Sequence, residues 1–230
     1  MPVERKPAVL RVRLLAFPDV DDLDLMGAYA VLSKAAELAR AGPGPRLDIA
    51  IAAAGEAELC TAGGLRFRSQ AALDEAGHPD AVLVPGGRGI QRMLSSPPYL
   101  DYLRSAHRHH AAVYSVCSGA LLVAAAGLAA GATLAIHAAK RDRLTGIADC
   151  APGRGLIRDG SLTSVGGDRS SSVKSVDLAV QLVADHAAGL LPELLSRMEL
   201  CQGRTLYIPN PDTPNPDTPE PAAGRAGMRP

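Results

Sequence analysis

Apolar positions fall into short runs between polar, glycine- or proline-rich breaks, and the period of each run sets the element expected there. Val9–Phe17 (VLRVRLLAF) is leucine-rich, β-branched and nearly continuous, as in a strand buried within a parallel sheet. It stops at Pro18, and the acidic loop Asp19-Val20-Asp21-Asp22-Leu23-Asp24 follows. Leu25–Arg40 carries Met26, Tyr29, Leu32, Ala36 and Ala39 at helical spacing and ends at Gly42-Pro43-Gly44-Pro45. Leu47–Ala54 reads as a second strand, Leu59–Phe67 as a hairpin around Gly63-Gly64, and Ala81–Val84 as a third strand closed by Pro85-Gly86-Gly87. Ser95–His110 is an amphipathic helix. Beyond it, Thr133–His137 reads as a strand, Leu156–Val165 as a hairpin turning at Arg158-Asp159-Gly160, and Ser172–His186 and Leu190–Gln202 as helices. This alternation predicts an α/β fold: a mostly parallel sheet with helices on both faces.

One stretch has a chemical meaning of its own. Ala111–Ala130 (AAVYSVCSGALLVAAAGLAA) reads as a strand over Ala111–Val116, a Cys-Ser-Gly turn, and a small-residue helix from about Ala120. A cysteine at a strand-to-helix corner is a nucleophile elbow, with its side chain held above the sheet and the free NH groups of the helix beneath it. Their positive end favours thiolate over thiol, which makes Cys117 a candidate nucleophile at neutral pH. Gly119 and the following alanines allow helix and strand to approach closely. The alternative is a buried structural cysteine. Ligands of such sheets sit beyond the carboxyl ends of the strands. The acidic loop, the Gly86-Gly87 loop and the Cys117 elbow all fall there.

Composition removes several classes. Lys+Arg and Asp+Glu both number 24, so the whole chain carries no basic footprint for nucleic acid or acidic membranes. With no Trp and 2 Phe, it also lacks stacking platforms for single strands. Cys60, Cys117, Cys150 and Cys201 are far apart and form no zinc-spaced cluster. His107 and His110 stand three apart at a helix end, where a solvated terminus is the plainer reading than a metal pair. Ala111–Ala139 contains no Asp, Glu, Lys or Arg, but its turn and Gly127 and Gly131 break it into strand, helix and strand rather than a membrane span. Charged residues interrupt the N-terminus, so no signal peptide is read and a cytoplasmic location is expected. Residues 1–204 are expected to form a single α/β domain. Residues 205–230, with the doublet Pro-Asp-Thr-Pro-Asn-Pro-Asp-Thr-Pro, are expected to form an extended tail.

Three motifs in order, Phe17-Pro-Asp-Val-Asp-Asp-Leu-Asp-Leu-Met-Gly, Val84-Pro-Gly-Gly and Ser115-Val-Cys-Ser-Gly-Ala-Leu-Leu, resemble the ThiJ/PfpI superfamily. Within it the chain is most similar to the isonitrile hydratase branch. The likeness continues through Ile157-Arg-Asp-Gly-Ser-Leu-Thr-Ser and Val176-Asp-Leu-Ala, and so covers roughly residues 9–200. The resemblance implies a flavodoxin-like fold, a homodimer, a small-molecule substrate, and neither metal nor organic cofactor. Carried over, it implies Cys117 as nucleophile, Asp24 as the paired acid, and Ser118 as a hydroxyl near that acid. Gly86 and Gly87 would offer NH groups to developing charge. Asp24 would then need a buried, pKa-raised site, the alternative being a helix-capping aspartate. Asp19, Asp21 and Asp22 are expected to be solvated.

Some positions depart from the branch. His137 stands in Ile-His-Ala where the branch has Thr-His-Trp, and reads as a core histidine or as support for the site. Asp168-Arg169 follows Gly166-Gly167 where the branch has an apolar residue, which would put Asp168 beside the nucleophile. Ser118 takes the place of the His that follows Cys in protease-like and glyoxalase-like members, so a Cys-His dyad is not read. Besides the hydratase, two other roles are compatible with the elbow. One is a ligand-sensing module related to the N-terminal domain of AraC-type regulators, although no paired helix-turn-helix follows. The other is a redox-sensing cysteine.

Overall fold

The computed structural model describes residues 9–42, 44–55, 58–145, 147, 151–166 and 174–200. In chain order the elements are β1 (Val9–Leu15), α1 (Asp22–Ala41), β2 (Arg46–Ala53), β3 (Glu58–Cys60), β4 (Arg66–Arg68), β5 (Ala71–Ala72) and β6 (Ala81–Val84). Next come α2 (Ile90–Met93), α3 (Pro97–Arg108), β7 (Ala112–Val116), α4 (Gly119–Ala125), β8 (Thr133–Ala135), α5 (Arg141–Thr145) and β9 (Ala151–Gly153). The last are β10 (Gly155–Asp159), β11 (Leu162–Gly166), α6 (Lys174–Ala187) and α7 (Leu191–Arg197).

Seven strands make one sheet in the order β10-β11-β7-β6-β1-β2-β5. All neighbours in it are parallel except the β10–β11 hairpin. Every residue of β6 is buried, which requires cover on both faces of the sheet. The cover comes from α1 packed with α6 and α7 on one side, and from α4 packed with α2 and α3 on the other. The core is built mostly of leucine, valine and alanine; Phe17 and Tyr99, meeting edge to face at 6.3 Å, are among its few aromatic side chains.

The described boundaries correct several expectations. The first helix begins at Asp22 rather than Leu25, because Asp21 caps it: its carboxylate accepts the amides of Leu23 at 3.0 Å and Asp24 at 3.1 Å. The strand at Thr133 ends at Ala135 and pairs with β9 in a separate two-stranded sheet, outside the central one. Four elements escaped the sequence pattern: β5, an edge strand of two alanines, α2, a single turn, α5 and β9. The hairpin around Gly63-Gly64 forms as expected, with Leu59 opposite Phe67.

The helical run 174–197 is long and apolar enough, by length and composition, to cross a membrane. It is instead interrupted by a 3-10 turn at Ala188–Leu190, and Leu178, Ala179, Leu182 and Val183 of α6 are buried against the sheet and α1. It is a core helix. Chain order reverses between β1 and β6, and the loops after both strands meet at that switch point, the usual position of a ligand crevice in an open α/β sheet.

Candidate active site

The carboxyl ends of β1, β6, β7 and β11 lie side by side, with Leu14 level with Leu83, Val84 with Ser115, and Val116 with Val165. The loops that leave them are tied together by backbone bonds. Asp21 donates its amide to the Gly86 carbonyl at 2.9 Å, Gly89 donates to the Asp19 carbonyl at 3.1 Å, and Val20 and Gly87 form an antiparallel bridge. Only glycine fits at 87. Its φ is +140°, and a Cβ there would stand 2.5 Å from the Asp19 carbonyl oxygen and 2.6 Å from the Asp21 nitrogen.

The elbow forms where the sequence placed it. Cys117 has φ +55°, a left-handed conformation unusual for a non-glycine residue, and its amide donates to Val165 of β11 at 2.9 Å. The strained corner turns the chain from β7 into α4, which packs hard on β6. A Cβ on Gly119 would run into the Val84 carbonyl oxygen and stand 3.0 Å from that of Pro85. The expected close approach of helix and strand is therefore present, and it depends on Gly119.

Asp24, Ser118 and Cys117 converge on Gly86. A Cβ there would lie 2.7 Å from Asp24 Oδ2, 2.9 Å from Ser118 Oγ and 3.1 Å from Cys117 Cβ. The Gly86 amide donates to Asp24 Oδ2 at 3.0 Å, and the Gly87 amide donates to Ser118 Oγ at 3.2 Å. These two amides thus hold the carboxyl of Asp24 and the hydroxyl of Ser118 in place. Ser118 is wholly buried, and its own amide is directed at the Cys117 sulfur.

Electrostatics of the pair differ from the sequence expectation in one respect. Burial, and then the Asp21 carboxylate, push Asp24 up to about 7, against the Gly86 amide and the Lys174 and Lys140 charges. Asp24 thus holds its proton up to about neutrality, and the capping function belongs to Asp21. Burial and the neighbouring Asp24 push the Cys117 thiol up as well; Lys140, the Ser118 amide and Lys174 oppose them without winning. The helix end alone does not make a standing thiolate here.

The other acidic residues have structural work rather than solvent. Asp22 accepts from the Thr61 hydroxyl and, at 2.7 Å, from the Gly63 amide, which holds its pKa below the ordinary carboxylate range and pins the β3–β4 hairpin to α1. Asp19 pairs with Arg92 at 2.7 Å. His137 is not a core histidine: it is half-exposed, and its Nδ1 accepts the Ala139 amide at 3.1 Å in the 3-10 turn Ala138–Lys140. His107 and His110 join no group of three or more metal-ligating side chains among the described residues. Asp168, Arg169, Cys150, Cys201 and the segment 205–230 lie outside the described residues.

Lys140, Lys174 and Asp21 were the contributors that sequence reasoning missed. Asp21 carried a signal, its spacing of three from Asp24 at a helix start. The lysines carried none, because packing alone brings them to the site.

Comparison with known proteins shows the family and the fold. A family model described as the DJ-1/PfpI family matches residues 10–183. The isonitrile hydratase of Pseudomonas putida is 29% identical over 182 residues, covering 79% of this chain and 76% of that protein. Drosophila melanogaster DJ-1beta superposes with a TM-score of 0.72 at 17% identity, over 84% of this chain and 99% of the other. A ThiJ/PfpI family protein from Pseudomonas syringae gives 0.71 at 20% identity, over 93% and 84%.

Proposed function

The chain belongs to the DJ-1/PfpI family, and from that premise we propose that it is a cysteine-dependent hydratase of a small electrophile, an isonitrile, with Cys117 as nucleophile and Asp24 as acid and base. The observation that carries this reading is the convergence of the Cys117 side chain and the near-neutral Asp24 carboxyl on the single unsubstituted carbon of Gly86.

The chemistry follows from that pair. Both groups resist ionisation, so the working form of the pair holds one proton between them, with a thiolate at Cys117 when the proton sits on Asp24. Sγ forms a bond to the terminal carbon of R–NC, and Asp24 delivers its proton to the same carbon, leaving the thioimidate R–N=CH–S–Cys117. Water then adds to that carbon while Asp24 takes one of its protons and passes it to nitrogen. In the collapse, the hydroxyl proton returns to Asp24, the C–S bond breaks, and R–NH–CHO leaves the regenerated thiolate. Ser118 holds the Gly86–Gly87 loop, and Asp168 is proposed as a further substrate-binding residue.

A small-molecule substrate, a homodimer, a cytoplasmic location, and a domain of residues 1–204 carrying a tail at 205–230 complete the reading. Four cysteines with no clustering suit a reducing compartment. A redox sensor asks for a low-pKa, exposed thiolate, and the forces on Cys117 run the other way. The test is a rapid acid quench of wild-type protein during turnover of an alkyl isonitrile, followed by mass spectrometry. An adduct of one isonitrile on Cys117 supports the thioimidate; a carboxylate adduct, or none at Cys117 beside wild-type turnover, overturns it.

A further inference from the structure

We infer that Ser175 is a positioning residue for Asp24: its hydroxyl, seated against Gly27, fixes how closely the first turn of α6 closes on the turn of α1 that carries the acid. The inference rests on the reading of Cys117 and Asp24 as the reacting pair and adds to it the contact that sets the acid in place.

The two helices pack along one another on one face of the sheet. Ser175, the second residue of α6, is buried, and its Oγ donates to the Leu23 carbonyl at 2.7 Å, one residue before Asp24. Gly27 follows Asp24 by three residues and so lies beside it on the helix surface. A Cβ at 27 would stand 2.6 Å from Ser175 Oγ and 3.5 Å from Val176 Cγ2. The hydroxyl therefore occupies space that any larger residue at 27 would take. A second tie holds the same turn of α1. The Gly86 amide donates to Asp24 Oδ2 at 3.0 Å, and the Asp21 amide donates to the Gly86 carbonyl at 2.9 Å. Asp24 is thus carried on a turn clamped at two points, by the loop after β6 and by Ser175.

Packing alone does not ask for this arrangement. An alanine at 175 would fill the interface with no buried hydroxyl to satisfy, and would need no glycine opposite it. The serine instead reaches a backbone atom next to the acid. What depends on the spacing it sets is the burial of Asp24. Burial is the largest of the forces that keep the proton there; the Asp21 carboxylate adds to it, and the Gly86 amide, Lys174 and Lys140 oppose it. Cys117 is held up by its own burial and by Asp24. Separating α6 from α1 lets water reach the carboxyl, favours its ionised form, and moves the remaining proton of the pair onto the thiol.

The test reads the pair through Cys117 and needs no isonitrile. The rate of Cys117 alkylation by iodoacetamide is followed across pH, quantified on the Cys117 peptide by mass spectrometry. In wild-type protein it should show a first inflection near 7, which Asp24→Asn removes. In Ser175→Ala the inflection should move down by about half a pH unit, and the rate at neutral pH should fall about threefold as the singly protonated pair holds less thiolate. Gly27→Ala keeps the hydroxyl but displaces it, and should move the inflection in the same direction. In the double variant the missing Oγ leaves room for the added methyl, so the shift should be no larger than in Ser175→Ala alone. A merely structural hydroxyl would lower the melting temperature and leave the inflection in place. An unmoved inflection in folded Ser175→Ala overturns the inference; if that variant does not fold, an unmoved inflection in Gly27→Ala does so. Single shifts that add in the double variant overturn it too, since they would have separate causes. An inflection that survives Asp24→Asn defeats the reading of the pair itself, whereas absence of isonitrile turnover defeats only the hydratase.

Discussion

The amide of Gly86 donates to Oδ2 of Asp24 at 3.0 Å, joining the loop after β6 to the first turn of α1 across 62 positions of sequence. The bond stabilises the ionised form of Asp24, yet burial and Asp21 outweigh it and leave the group titrating near 7. The site therefore combines fixed placement of the acid with retention of its proton.

A methyl group at Gly86 would strike Asp24, Ser118 and Cys117 together, at 2.7, 2.9 and 3.1 Å. Gly86→Ala should therefore separate the acid from the thiol, with kcat falling about 100-fold for a displacement of the order of an ångström. Turnover kinetics alongside a thermal melt will distinguish this from unfolding: a kcat unchanged within twofold is the unfavourable result.

Gly119→Ala is expected to act on stability first. Its Cβ would overlap the Val84 carbonyl oxygen, a backbone atom in a fully buried strand that cannot swing aside. Overpacking of this kind costs about 1–3 kcal/mol, read as a lowered urea midpoint with unchanged slope. An unaltered midpoint would mean that α4 can move away from β6.

The pH dependence has a defined sign. The folded-state pKa of Asp24, about 7, lies above its unfolded value of 3.8, so between them the native chain holds more protons than the unfolded one. The stability contribution of this group is thus largest at low pH and declines as pH rises from about 4 to about 7. Asp24→Asn should flatten that decline in urea titrations at successive pH values. In kcat/KM the acid limb should lie near 7, where the pair gives up the first of its two protons, and the alkaline limb should follow loss of the second. A profile with no inflection near 7 counts against the pair.

Asp21→Ala removes a helix cap and a charge at once. Loss of the cap should lower stability by about 1 kcal/mol. Loss of the charge should move the acid limb of the rate profile to lower pH, since Asp21 is among the groups that hold Asp24 up. Asp21→Asn, which keeps an acceptor for the Leu23 and Asp24 amides, should restore most of the stability but not the position of the limb.

Strands β1, β2, β6 and β7, the elbow and the Gly119 contact were legible in sequence, because an apolar run closed by Pro or Gly and a Cys-Ser-Gly corner each admit few conformations. Asp24 could be chosen only through the resemblance. Four aspartates in six positions look alike until the start of α1 is known, and Asp21 fixes that start by capping. β5 was illegible because two alanines have no period; β8 was legible as a strand, but its pairing with β9 rather than the central sheet is a matter of packing. Lys140 and Lys174 act on Asp24 and Cys117 from elements distant in sequence, which no local pattern encodes. The amides of Gly86 and Gly87 show the same limit: a glycine pair signals close approach, but which oxygen approaches is known only once Asp24 and Ser118 arrive.

The most direct measurement is formation of N-substituted formamide, followed by NMR, from an alkyl isonitrile, using wild-type protein, Cys117→Ala and Asp24→Asn. Wild-type turnover, abolished without the thiol and lowered at least about 100-fold without the acid, is the expected outcome. Turnover that survives Cys117→Ala would contradict the assignment of this pair, and its absence from wild-type protein would contradict the hydratase itself.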